Sequence, residues 1–173
     1  MRTFIAVEIS NEIRQKIAEI QKELPADKIK IVDPGLIHIT LKFLGETDEK
    51  KIPEIKKSLA SIKFSPINLE CKGVGVFPNP NFIKVIWVGV ESKELKDLEE
   101  VSKEVESKMM ELGFEKNDYP FSPHITIGRP RSKIEIADFL EKYKDADFGS
   151  FTVTAVKLKK STLTPKGPIY EDL

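Results

Sequence analysis

The sequence predicts an α+β fold of two related lobes facing one another across a central cleft. Three observations carry that prediction. The order strand, helix, histidine strand, helix, strand runs once from Phe4 to Phe77 and again from Ile83 to Leu158. Val7-Glu8-Ile9-Ser10 lines up loosely with Val90-Glu91-Ser92, each opening the first helix of its unit. The chain's only two histidines, His38 and His124, both sit in His-Ile-Thr followed by an aliphatic residue. The expected organisation is one domain over residues 1–173, built from lobes at about 4–77 and 83–158, with the C-terminal tail completing the sheets. A pseudo-twofold axis between the lobes would bring the two histidine strands face to face.

The elements follow in order. Phe4-Ile5-Ala6-Val7-Glu8-Ile9 reads as a buried strand. Ser10 or Asn11 caps a helix with Ile13, Ile17, Ile20 and Leu24 at helical spacing, and Pro25 follows its end. Ile29 to Val32 is a short strand, and Asp33-Pro34-Gly35 turns into the first histidine strand, His38 to Phe43. A helix from about Glu49 to Ile62 turns Ile52, Ile55 and Leu59 inward. A long strand runs from Ile67 to Phe77, where Gly73 and Gly75 suggest a bulge or a close backbone approach. After the turn Phe77-Pro78-Asn79-Pro80-Asn81, Phe82 to Val90 is a strand holding the only tryptophan, Trp87. Ser92 is expected to cap a long helix with Leu95, Leu98, Val101, Val105, Met109 and Leu112 as its buried stripe, ending at Gly113. A loop from Phe114 to Phe121 enters the second histidine strand. Ile134 to Leu140 is a short helix, Phe151 to Leu158 a strand with alternate apolar residues, and the tail a turn and a final short strand.

Composition narrows the function classes. The formal net charge is zero, so no global field draws nucleic acid and any such contact rests on a local patch. Charged residues make up 32% of the chain while glutamine appears only at Gln15 and Gln21, a heat-adapted balance. The single cysteine, Cys71, rules out an internal disulfide and reads as a small buried hydrophobe rather than a nucleophile. With one cysteine and two histidines on separate strands, a structural zinc site is not expected. No apolar run approaches the ~20 residues of a membrane span, and no signal-type apolar region follows Met1. A soluble, cytoplasmic, monomeric protein is the expectation, with no membrane partner.

The chemistry lies in the repeated tetrapeptide. Successive strand side chains alternate between faces, so His38 and Thr40 share one face, as do His124 and Thr126, while the intervening isoleucines enter a core. Two imidazoles with unperturbed pKa near 6.5 suit acid–base work, one accepting a proton while the other donates. Hydroxyls and an arginine can hold a phosphoryl group between them. The four arginines are Arg2, Arg14, Arg129 and Arg131, and two of them fall just after the second histidine. A guanidinium binds phosphate through a fork that lysine lacks. Arg129, five residues after His124, faces the wrong way on a regular strand, but a bulge permitted by Gly128 would restore its face. Lys42, four residues after His38, shares the His38 face on a regular strand and either touches phosphate or is solvated surface.

The paired His-Ile-Thr motifs resemble the 2H phosphoesterase superfamily, and within it the RNA 2′,3′-cyclic phosphodiesterase family, long labelled 2′-5′ RNA ligase. The resemblance extends over essentially the whole chain. It implies a bilobal fold, each lobe an antiparallel sheet with outer helices, and a substrate that is an RNA with a 2′,3′-cyclic phosphate end, tRNA fragments among the candidates. It implies hydrolysis to a 2′-phosphate, with His38 as proton donor and His124 as proton acceptor, and no cofactor or metal. The family pattern also places an arginine at the offset of Arg129, which favours Arg129 beside Thr40 and Thr126 at the phosphate and leaves Arg131 as an RNA-backbone contact. Phe43-Leu44-Gly45 matches the Phe-Leu-Gly that follows the family's first motif, and Phe43 either contacts substrate or packs beneath the site. Tyr119, with Phe121, either stacks on a base or packs in the core. Gly167-Pro168-Ile169-Tyr170 resembles a frequent family ending. Two other readings remain: a reversible 2′-5′ ligase using cyclic phosphate ends, and a non-catalytic module that holds an RNA phosphate end.

Overall fold

The computed structural model describes residues 1–173. Nine strands form two antiparallel sheets, and four α-helices lie outside them. The first sheet has the order β3 (His38–Glu46), β1 (Arg2–Glu8), β8 (Lys157–Thr164), β9 (Gly167–Asp172). The second has the order β2 (Ile29–Ile31), β6 (His124–Pro130), β5 (Phe82–Glu91), β4 (Ile67–Asn79), β7 (Asp147–Val153). The chain therefore weaves between them. β2 and β4, from the first sequence unit, pair in the sheet of the second histidine strand, and the C-terminal β8–β9 hairpin pairs beside β1.

Alternation decides what each histidine strand buries. Ile39 and Leu41 on β3, and Ile125 and Ile127 on β6, enter one continuous apolar core, while His38, Thr40, His124 and Thr126 stay half-buried on the opposite faces. β3 is an edge strand, and β2 covers only the Gly128–Pro130 end of β6. The two histidine strands meet along these open sides, their Cα atoms approaching within 8 Å.

The helices follow their apolar stripes. α1 (Asn11–Gln21) is capped by Ser10, whose Oγ accepts from Ile13 N, and it packs on β7. At its end Gln21 Nε2 donates to Val32 O and Ile127 O at 2.8 and 2.9 Å, tying the helix to β6. α2 (Ile52–Ala60) follows a 3₁₀ turn at Glu49–Lys51 and packs against α3 (Leu95–Glu111). Gly113 closes α3 with φ +89°, Phe114 N bonding Met109 O and Gly113 N bonding Met110 O. α4 (Ala137–Tyr143) lies on β4.

Two expectations change. Ser92 does not cap α3: the helix begins at Leu95, and Ser92 Oγ accepts from Glu94 N and donates to Asn68 O. The strand expected from Phe151 to Leu158 is two strands, because Thr154-Ala155-Val156 carries the chain from one sheet to the other. No helix is long and apolar enough to cross a membrane.

Candidate active site

Both histidines are oriented by the same device. His38 Nδ1 lies 2.7 Å from Leu36 O, and His124 Nδ1 lies 2.7 Å from Ser122 O, in each case the carbonyl two residues upstream. A carbonyl only accepts, so each Nδ1 carries the hydrogen and each Nε2 is the working nitrogen. On β3 that nitrogen accepts from Thr40 Oγ1 at 2.7 Å.

The surroundings differ. Phe4 stacks on His38 with ring centroids 4.9 Å apart, and Tyr170 meets His38 edge-on at 5.6 Å. His124 has Phe77 edge-on at 5.2 Å. Burial pushes the His38 imidazole below its usual value; Lys159 and Arg14 add to the fall, while the bond to Leu36 and the Glu8 carboxylate oppose it. Those charges form one network. Glu8 accepts from Arg14 Nη2 at 2.5 Å and from Lys159, and Lys159 Nζ also reaches Asp172 Oδ1 at 2.6 Å. Burial raises the Glu8 carboxyl, but its two cations outweigh that and hold it below the usual range. Arg14 further donates to Ile37 O through Nη2 at 3.1 Å, pinning the backbone just before His38.

One irregularity, present in both strands, sorts the remaining residues. On β3, Ile5 lies opposite Lys42 and Ala6 opposite Thr40, which leaves Leu41 as an extra residue. On β6, Ile86 lies opposite Gly128 and Trp87 opposite Thr126, which leaves Ile127 extra. Each bulge flips the parity three residues past its histidine. On β6 it turns Arg129 onto the His124 face, as that residue's reading requires. Gly128 serves a close approach there, since a Cβ would come 2.9 Å from Ile29 Cγ2. Burial raises the Tyr170 phenol above its usual value, and the charges of Arg129, Arg2 and Lys159 oppose that rise.

On β3 the same bulge overturns the reading of Lys42. Its side chain is 2% exposed and points away from His38. The ammonium donates to Glu106 Oε2 and Glu115 O at 2.7 Å and to Asn117 Oδ1 at 3.0 Å. Lys42 is thus neither a phosphate contact nor a solvated lysine; it ties β3 to α3 and to the loop entering β6. Phe43 takes the face that Lys42 loses, 66% exposed with its ring 6.2 Å from Phe4. It does not pack beneath the site; Phe4 does. Tyr119 is 83% exposed in the loop before β6, whereas Phe121 packs partly against the core. Arg131 is exposed just beyond β6, its backbone N donating to Lys28 O.

Phe4, Glu8, Arg14, Lys159 and Asp172 escaped the sequence reading as site residues, and Tyr170 entered it only within the family-like ending, with no role. β1 is apolar on both faces, so no alternation marks Phe4, and the pairing of β8 with β1 and of β9 with β8 leaves no local trace. No group of three or more His, Cys, Asp or Glu side chains is placed to hold a metal ion.

The chain is similar to known proteins over nearly its whole length. The chain is 45% identical to an RNA 2′,3′-cyclic phosphodiesterase of Methanocaldococcus jannaschii, over 99% of this chain and 97% of that one. It is 43% identical to the protein of that name from Archaeoglobus fulgidus, over 100% and 98%. The crystal structure of a Thermus thermophilus protein superposes with a TM-score of 0.84 at 28% identity, over 100% of this chain and 95% of that one. The fold is also that of E. coli LigT complexed with 3′-AMP, at TM-score 0.83 and 24% identity, over 99% and 94%. The sequence pattern of the LigT-like phosphoesterases matches residues 7–87 and again residues 88–170, the two stretches that each contribute one histidine strand. This chain belongs to the LigT-like phosphoesterase family.

Proposed function

We propose that this protein hydrolyses RNA 2′,3′-cyclic phosphate ends to a 2′-phosphate by paired-histidine acid–base catalysis. The observation that carries the reading is the matched pair of imidazoles on adjoining strands, each with Nδ1 fixed by a carbonyl and Nε2 left for chemistry. The name shared by relatives at 43% and 45% identity supports the substrate class.

The steps balance simply. A water oxygen attacks phosphorus, and its proton passes to His124 Nε2. The bond from phosphorus to the ribose 3′-oxygen breaks, and His38 Nε2–H protonates that oxygen, leaving a 2′-phosphate and a 3′-hydroxyl. Protonating His38 ends its role as acceptor for Thr40, whose hydrogen then turns to a phosphoryl oxygen. Thr126 and Arg129 hold the other phosphoryl oxygens as charge builds. Short RNAs, tRNA fragments among them, are the proposed substrates of a monomer working in the cytoplasm. The donor and acceptor assignment follows the family resemblance. A second reading exchanges the roles, and the lowered His38 pKa favours it, because a ring left neutral at pH 7 is already a base.

The test is a short RNA with a 2′,3′-cyclic phosphate end, incubated with excess chelator. Release of the 2′-phosphate is expected; a strict need for an added divalent ion rejects the mechanism. Thr40→Ala and Thr126→Ala each remove a hydrogen bond to an anion, so about 1.5–3 kcal/mol of transition-state stabilisation should go. Serine at either site should be milder. Arg129→Lys should not rescue the rate of Arg129→Ala, because the charge returns without the fork. Rates restored by lysine would remove Arg129 from the phosphate.

A further inference from the structure

Behind His38 the first sheet holds a polar cavity of about 540 Å³ between the start of α1 and β8. Its hydrogen-bonding inventory is one-sided. The acceptors are already engaged. Glu8 takes Arg14 and Lys159 on separate oxygens, and Asn11 Oδ1 takes Arg14 Nη1 at 3.1 Å. Asp172, just outside, takes Lys159 on Oδ1 and Lys157 on Oδ2.

The donors are not used up. Lys157 has one of its three N–H groups in a bond and Lys159 two, while the Tyr170 hydroxyl and the Asn11 amide nitrogen bond no protein group. Arg14, Lys157 and Lys159 set against Glu8 and Asp172 leave one net positive charge. A chamber with spare donors, carboxylates already paired with cations and a positive balance suits an anionic oxygen group. His38 forms its wall, so such an anion lies within one nucleotide of the reacting phosphorus.

We propose that this cavity binds the 5′-phosphate group of the terminal nucleotide, the phosphodiester that joins the cyclic-phosphate end to the rest of the RNA, through Lys157 and Tyr170. The proposal rests on the RNA cyclic-phosphate reading above. Lys157 is the electrostatic arm, 42% exposed and free to swing onto the phosphate. Tyr170 lies against both Phe4 and His38, so its hydroxyl is set at a fixed distance from the catalytic ring.

The test compares a nucleoside 2′,3′-cyclic phosphate with the same compound bearing a 5′-phosphate. The wild-type protein should favour the 5′-phosphorylated compound in kcat/KM by about tenfold or more, as a charge-assisted contact warrants. Lys157→Gln and Tyr170→Phe should each bring that ratio toward one, the second keeping the ring that packs on His38. Added salt should erode the wild-type preference by screening the Lys157 charge, and Lys157→Gln should flatten that dependence. Equilibrium binding of both compounds to His124→Ala protein reads the same ratio without turnover. A wild-type ratio of one, or a ratio that both variants leave intact, overturns the proposal. So does a gain seen only with a dinucleotide and kept by both variants, since the upstream nucleoside and not the phosphate is then recognised. Failure to hydrolyse either compound refutes the catalytic reading instead, and the binding ratio still decides the cavity.

Discussion

His38→Ala and His124→Ala should each lower kcat/KM on a 2′,3′-cyclic phosphate by about 10²–10⁴-fold, the worth of a positioned acid or base. Together they should be little worse than either alone, because a proton taken at one ring and delivered at the other is a single device. The wild-type pH profile should be a bell with one limb from each ring, and the limb set by His38 should lie below pH 6.5, since burial lowers that imidazole. Each variant keeps one limb. If His124 is the base, His38→Ala should gain rate with rising pH and then level off. If His124 is the acid, the same variant should lose rate with rising pH. That slope decides which ring gives the proton. Near-normal rates in both single variants would end the acid–base reading.

Glu106→Ala should destabilise the protein by about 3–5 kcal/mol, the usual result of stranding a buried charge. The Lys42 side chain is 2% exposed and Glu106 is its only carboxylate partner, at 2.7 Å. Glu106 also accepts from Asn117 N through Oε1, so the substitution frees the loop before β6 as well. Such a loss is a large share of the roughly 5–15 kcal/mol that holds a typical domain together. Lys42→Met with Glu106→Leu should recover much of it, because an apolar pair of similar volume removes the unpaired charge. Denaturant midpoints at constant slope measure both. A shift below about 1 kcal/mol in Glu106→Ala, within the range of ordinary surface pairs, would show that the ammonium finds water on opening.

The histidine strands were legible because period-two alternation is a local signal. His38, Thr40, His124 and Thr126 stand on the faces that it predicts. The bulge that turns Arg129 to the His124 face was legible through Gly128, a small residue that admits close strand approach. Lys42 was misread for the complementary reason. The bulge at Leu41 has no glycine or proline to announce it, and it shows only in the register with β1. The break at Thr154-Ala155-Val156 is equally silent, because the switch between sheets is dictated by partners elsewhere in the chain. The charges around His38 were out of reach altogether. Glu8, Arg14, Lys159 and Asp172 are spread over most of the sequence, and three of the four resemble ordinary surface charges of a Lys- and Glu-rich chain.

The weave of strands also sets an order of events during synthesis. Chains emerge N-terminus first, and His38 leaves the ribosome early. Yet β1, the central neighbour of its strand, is completed only by β8, whose Lys157 and Leu158 pair with Ala6 and Ile5 about 150 positions earlier. Closing so long a loop is entropically slow, and non-local pairings of this kind delay folding. Until residues 157–173 are released, Glu8 has no Lys159 and His38 has no Tyr170 beside it. A nascent or C-terminally clipped chain thus carries both histidine motifs with the chamber behind the first still unbuilt. β9, made after both motifs, is the strand that sets Tyr170 beside the first of them.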